Sequence, residues 1–268
     1  AIALGYKQVN KIYSQLLKIR KLDKNQISNK INKISSTKDF SGFDKQDIII
    51  EAVVEDIQIK KKVLSELESN IDKNAIIASN TSSLSVTKMA ESLKRPENFA
   101  GMHFFNPVNK MPLVEVIKGQ KTSDQTISTI VSLAKKAGKT PIVVKDVAGF
   151  LVNRILMPYI NEAGHLLIEG KSTEDIDYYM ESFGMPMGPL TLLDIVGIDV
   201  GYKVAKSLNE SYGDRMKPCQ LLEKIAQDHP KLLGKKSKRG FYIYCNNGTK
   251  KTNYTINEIL SKLNTNPT

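Results

Sequence analysis

Three histidines, His103, His165 and His229, are the side chains in this sequence whose ordinary pKa lies near neutrality. Only His103 has a partner that spacing can place. Segments 99–105 and 111–117 are apolar, and residues 106–110 between them are too few for a parallel crossover, which needs a dozen or more. The two segments must turn back on each other. With the turn centred near Asn109, His103 and Glu115 stand opposite. Opposed side chains on one sheet face lie about 4.5–5.5 Å apart at Cβ. A carboxylate at that distance fixes the imidazole tautomer and stabilises the imidazolium, as a general base removing a hydroxyl proton requires. The same residues could also form a purely structural ion pair, and spacing alone leaves both roles open. His165, in a helical pattern, and His229, beside Pro230, read as structural or solvated.

Other polar groups fall at places where ligands bind. Ser79-Asn80-Thr81-Ser82-Ser83 follows an apolar strand directly, and open α/β sheets bind ligands beyond the carboxyl ends of their strands. One of these serines could instead cap a helix. Asn153 and Arg154 open a helical region, where they could face a cleft or bond between domains. No G-x-G-x-x-G phosphate loop occurs, and Gly184-Met185-Pro186-Met187-Gly188 lacks the strand-turn-helix setting of one. Cys219 and Cys245 match no zinc or redox spacing and read as reduced thiols of a cytoplasmic protein. No metal-ligand set is evident.

The elements that must hold these groups follow from periodicity. Residues 1–22 have helical spacing, and 23–37 suggest a short helix and then a strand near Ile34. Segment 47–54 is short, β-branched and nearly continuous in apolar character, the mark of a strand buried on both faces. Helices are expected at 57–70, 85–92 and 123–137, and strands at 75–79, 99–105, 113–117 and 141–144. This alternation predicts a parallel α/β sheet, apart from the reversal at 106–110. From 150 to 231 the periodicity is helical, with a capping box at Ser172-Thr173-Glu174-Asp175, and one strand returns at 240–244. A domain boundary is placed near 146–149.

The chain has 268 residues, 41% hydrophobic and 25% charged, which suits a globular protein with a sizeable core. No run of 18 apolar residues occurs, so no membrane span is expected. The opening residues lack a signal-peptide pattern and an initiating Met, so the chain is expected to begin inside a larger product. The net charge is +11. The basic residues are scattered and mostly lysine, with arginine only at 20, 95, 154, 215 and 239, which argues against nucleic-acid binding and allows a phosphate-rich substrate.

Six segments in register resemble the 3-hydroxyacyl-CoA dehydrogenase family. They are Glu51-Ala52-Val53-Val54-Glu55-Asp56, Ser79-Asn80-Thr81-Ser82-Ser83-Leu84, His103-Phe104-Phe105-Asn106-Pro107-Val108, Pro112-Leu113-Val114-Glu115-Val116-Ile117, Gly149-Phe150-Leu151-Val152-Asn153-Arg154 and Pro186-Met187-Gly188-Pro189. The stretch from Asn106 to Leu113 is similar to the dehydrogenase part of the multifunctional fatty-acid oxidation enzymes, whose enoyl-CoA hydratase domain does not appear in this sequence. The resemblance implies an incomplete Rossmann-like sheet domain, residues 1–146, followed by an all-α substrate and dimerisation domain, residues 147–268. It implies NAD-dependent oxidation of (S)-3-hydroxyacyl-CoA to 3-oxoacyl-CoA in β-oxidation, with His103 as base supported by Glu115. Ser82 and Asn153 are then expected to bind the substrate oxygens, and Val53, Val54, Glu55, Lys60, Ser82 and Asn106 to contact the cofactor. Partners would be acyl-CoA and either a second copy of the chain or a larger β-oxidation complex. Members of the family begin with a strand, a Gly-rich turn, a helix and a second strand. That segment is not in this sequence, so weak NAD binding by these residues alone is expected. The alternative is an inactive or split-gene fragment that retains the acyl-CoA-binding domain without catalysis. A hydroxyacid dehydrogenase with a lysine base is disfavoured, since no helical lysine has a matching context.

Overall fold

In the computed structural model, residues 2–264 are described. Two helices come first, α1 (Ile2–Lys18) and α2 (Lys24–Ile31). The strand expected near Ile34 does not form. Tyr6 Oη donates to the Ile34 carbonyl, and Asp39 accepts from Thr37 Oγ1 and the Ser41 N–H, which commits that stretch to turns.

Five strands follow: β1 (Ile48–Glu51), β2 (Ile76–Ser79), β3 (Phe99–Phe104), β4 (Leu113–Lys118) and β5 (Thr140–Lys145), hydrogen-bonded in that order. The first three run parallel, β4 is antiparallel to β3, and β5 is parallel to β4. Side chains alternate between two buried layers, as the period of 2 requires. Ile49, Ile77, Phe99 and Ile117 pack against α3 (Ile57–Glu68) and α4 (Val86–Ala90) through Leu64, Leu67, Val86 and Met89. Ile76, Ala100, Met102, Val114 and Val116 pack against α5 (Asp124–Lys136) through Ile127, Ile130 and Ala134. Each fully buried side chain of this size stabilises the fold by about 1.5–3 kcal/mol. β1, read from its isoleucine run as buried on both faces, is an edge strand here: Ile49 and Glu51 are buried, but Ile50 is 43% exposed.

Short polar side chains start the helices where the sequence puts them. Asp56, Ser123 and Ser172 accept hydrogen bonds from backbone N–H groups of α3, α5 and α7 (Thr173–Phe183). A second core is built from α6 (Val152–Ile168), α7, α8 (Pro189–Val196), α9 (Ile198–Tyr212) and α10 (Gln220–Asp228), around Ile160, Leu190, Leu193, Leu208 and Ile225. This part is helical apart from one hairpin, which includes the strand expected at 240–244. β6 (Tyr242–Tyr244) pairs antiparallel with β7 (Lys250–Thr252), and α11 (Thr255–Asn264) follows. The second strand reads as polar in sequence, and its turn residues Asn247 and Gly248 were the available signal.

The hairpin is fastened by a buried acid. Asp194 accepts from the Phe241 and Tyr242 N–H groups, both at 2.9 Å, and from Tyr244 Oη at 3.1 Å. Burial pushes its carboxyl up to about 6, and these donors offset that only in part. A methyl at Gly240 would overlap this carboxylate. Gly240→Ala is therefore expected to destabilise the protein by about 3 kcal/mol, read as a lowered Tm. An unchanged Tm would mean that the hairpin packs loosely.

Candidate functional site

The β3–β4 register sets His103 opposite Glu115, with both side chains buried. His103 Nδ1 lies 2.7 Å from Glu115 Oε2. The other carboxylate oxygen, Oε1, accepts from the N–H groups of Leu151 and Val152, each at 2.9 Å. α6 begins after Leu151, which offers no side-chain oxygen as a cap. Glu115 thus caps α6 from β4, and the positive helix end favours its charge. Burial pushes the Glu115 carboxyl up, but the bond to His103 and the Val152 and Leu151 N–H groups outweigh it, and the carboxyl ends below its ordinary value. An ionised Glu115 accepts a hydrogen bond from the Nδ1–H of His103 and leaves Nε2 with a free lone pair.

Aromatic rings flank the imidazole. Phe105 lies 4.5 Å and Phe150 6.0 Å away between ring centroids. Phe150 holds a left-handed backbone, φ 48°, directly after Gly149 at φ 71°. A Cβ at Gly149 would come within 2.7 Å of Leu208 Cδ2, so that position requires glycine. The left-handed Phe150 costs about 1 kcal/mol, which burial of its ring offsets.

Beyond β2, the 81–83 loop is held by Glu55. Glu55 Oε1 accepts from Thr81 Oγ1 at 2.7 Å, the Ser82 N–H at 2.8 Å and the Ser83 N–H at 3.1 Å. The exposed Ser82 gives its carbonyl to Asn153 Nδ2 at 3.1 Å, which joins this loop to α6. Ser82, Asn153, Glu115 and His103 therefore belong to one connected hydrogen-bonded region. Val53 and Val54 are exposed beside Glu55, and Asn106 is exposed just past β3.

Lys60 differs from its expected place. It is wholly enclosed, with Nζ 2.8 Å from Glu51 Oε1 and bonded to the carbonyls of Val53 and Asn80. In this arrangement it supports the 52–55 turn from beneath and does not line a surface. Sequence reasoning missed its partner Glu51, which also accepts from Ser79 Oγ at 2.5 Å and from the Val53 N–H at 2.6 Å. A lone acid closing an isoleucine run was the available signal. Also missed was Asp146, which accepts from Ser85 Oγ and the Val86 and Thr87 N–H groups and ties the junction to α4. His165 is exposed beside Asn161 on α6, away from this region's bonds.

A cleft of about 870 Å³ opens at this region. One wall is Val53, Glu55, Asn80 and Ser82, at the carboxyl ends of β1 and β2, and the other is α9. Its volume falls in the range of small-molecule and cofactor sites. A dinucleotide fits such a wall of exposed apolar side chains and strand-end polar groups.

Comparison with known proteins agrees with this architecture. Residues 1–147 match the family described as "3-hydroxyacyl-CoA dehydrogenase, NAD binding domain", and residues 149–244 match its "C-terminal domain". The fatty acid oxidation complex subunit alpha of Idiomarina loihiensis is 53% identical over 211 residues, 79% of this chain and 30% of that protein. The subunit of the same name from Acinetobacter baumannii is 48% identical over 243 residues, 91% of this chain and 34% of that protein. The chain thus spans about a third of the length of the curated relatives it matches. Among solved structures, (S)-3-hydroxybutyryl-CoA dehydrogenase from Ralstonia eutropha superposes with a TM-score of 0.88 at 39% identity, covering 92% of this chain and 87% of that one.

Proposed function

Because the chain belongs to the 3-hydroxyacyl-CoA dehydrogenase family, we propose that it oxidises (S)-3-hydroxyacyl-CoA to 3-oxoacyl-CoA with NAD, a step of fatty-acid β-oxidation. The observation that supports this most is the buried His103–Glu115 pair at 2.7 Å, with Nε2 left free. His103 Nε2 removes the proton of the 3-hydroxyl. Ionised Glu115 holds the ring in the reactive tautomer and stabilises the imidazolium that results. Ser82 and Asn153 hydrogen-bond the substrate oxygens and fix C3 against the base, and Phe105 and Phe150 keep water from the imidazole. NAD, when bound, supplies the acceptor for the hydride that leaves C3. Val53, Glu55 and Ser82 on the cleft wall would hold it, with Val54 and Asn106 as further contacts and Lys60 bracing the turn below.

On this reading residues 1–146 serve the cofactor and 147–268 serve the substrate and self-association. Exposed Tyr178, Tyr179 and Phe183 on α7 support association through the helical part, as a homodimer or within a larger β-oxidation complex. No helix among the described residues is long and apolar enough to cross a membrane. The two free cysteines, Cys219 and Cys245, support a reducing, cytoplasmic setting. The direct test is formation of NADH from (S)-3-hydroxybutyryl-CoA and NAD, with no turnover of the (R) isomer. Binding of the thioester without NADH formation would instead support a binding module without catalysis.

A further inference from the structure

α9 forms the second wall of the cleft, and no step of the proposed reaction uses it. Asp199, Lys203, Lys206 and Glu210 bring charge to that wall. They mark one helix face from 199 to 210, about 16 Å long at 1.5 Å per residue. The charges are not equally free. Asp199 is held by Lys236 Nζ at 2.5 and 2.6 Å. Across the cleft, Glu55 is turned toward Thr81, Ser82 and Ser83. Lys203 and Lys206 are exposed, and among the described residues neither has a hydrogen-bond or ion-pair partner. Glu210 lies at the far end.

Ser82 lines the strand-end wall, and its carbonyl accepts from Asn153 Nδ2 at the start of α6, while the two lysines line the α9 wall of the same cleft. A ligand with its reacting end at Ser82 therefore shares the cleft with both ammonium groups. We propose that Lys203 and Lys206 form a phosphate-binding wall for a nucleotide-bearing ligand whose reacting end lies at Ser82. The proposal rests on the dehydrogenase reading only for the identity of that reacting end. Two lysines one turn apart, facing into a partly enclosed cleft, suit a run of phosphates, because an ammonium acts as a mobile point charge with no fixed geometry. The phosphates could be those of the CoA half of the thioester or the pyrophosphate of the dinucleotide.

The test is the pair of variants Lys203→Gln/Lys206→Gln and Lys203→Glu/Lys206→Glu, with Tm confirming that each folds. KM is measured for a 3-hydroxyacyl-CoA, for the matching pantetheine thioester, which lacks the nucleotide phosphates, and for NAD. If the wall holds CoA, the neutral pair raises KM for the CoA thioester about 10-fold relative to the pantetheine thioester, and the acidic pair raises it further. If it holds the dinucleotide, the same rise appears in KM for NAD, and both thioesters are affected alike. A change below two-fold in both comparisons overturns the proposal. Should the unaltered protein oxidise no thioester, the dehydrogenase reading has failed. Calorimetric titration with CoA and with NAD then tests the wall alone, with weakening of about 10-fold in support and equal affinities against.

Discussion

Replacing His103 by Ala is expected to lower kcat for 3-hydroxyacyl-CoA oxidation about 10³-fold, with little change in KM. The size follows from what the side chain does. A positioned general base contributes about 10²–10⁴-fold, and His103 is a buried imidazole near the end of β3, held by Glu115. On the proposed reading ground-state binding comes from the cleft walls, so the loss is expected to fall on kcat. His103→Gln separates chemistry from packing. Its amide can still bond Glu115 and fill most of the space between Phe105 and Phe150, yet it cannot accept the hydroxyl proton. NADH formation is therefore expected to be equally low in both variants, with Tm closer to wild type in the Gln variant. Retention of even a tenth of the wild-type kcat would rule out His103 as the base.

The second large effect is expected at Glu115, where catalysis and stability meet. Glu115→Ala leaves the Leu151 and Val152 N–H groups and His103 Nδ1 buried without their acceptor. Breaking a buried arrangement of this kind costs about 3–5 kcal/mol, so a clear drop in Tm accompanies the loss of activity. Glu115→Gln is more informative. Its amide oxygen can still accept from the start of α6, so stability falls less. Its NH2 group then faces Nδ1 and drives the imidazole proton to Nε2, the nitrogen that must be free. A kcat loss of about 10³-fold is expected from the wrong tautomer.

The pH dependence of stability isolates the same carboxylate. The Glu115 carboxyl sits below its ordinary value of 4.5 in the folded protein. Its contribution is therefore complete above 4.5 and disappears as the pH falls through the lower folded value. The Tm gap between wild type and Glu115→Gln should be constant from pH 7 to about 5 and close below 4.5. Asp194, raised to about 6, has the opposite sign and favours the fold as the pH falls, but it is present in both proteins and cancels in the difference. A gap that widens in acid would contradict an ionised Glu115.

Much of the molecule can be read locally. The isoleucine run of β1, the serine cap of α7, and the loop too short for a crossover are statements about neighbours in sequence, and the structure has each of them. Turn length and the two-residue period of a strand are enough to oppose His103 and Glu115. Features that depend on polar residues finding distant partners were not legible. Lys60 carries nothing that marks it as buried, because burial depends on Glu51, nine residues away, and on carbonyls at 53 and 80. β7 has no apolar alternation, and it is a strand because β6 and a turn at Gly248 give it a partner.

By itself the sequence determined most of the helices and sheet strands, where the chain reverses between β3 and β4, and which imidazole meets which carboxylate, because those outcomes depend on backbone geometry over a few residues. Tertiary structure decided what that carboxylate does with its second oxygen, which is to cap α6 across 36 positions of chain. It also decided that Glu55 holds the Ser82 loop and that α9 faces it across a cleft. Hydrogen bonds and charges at such separations are chosen by how packed layers bring surfaces together, and no local pattern encodes that choice.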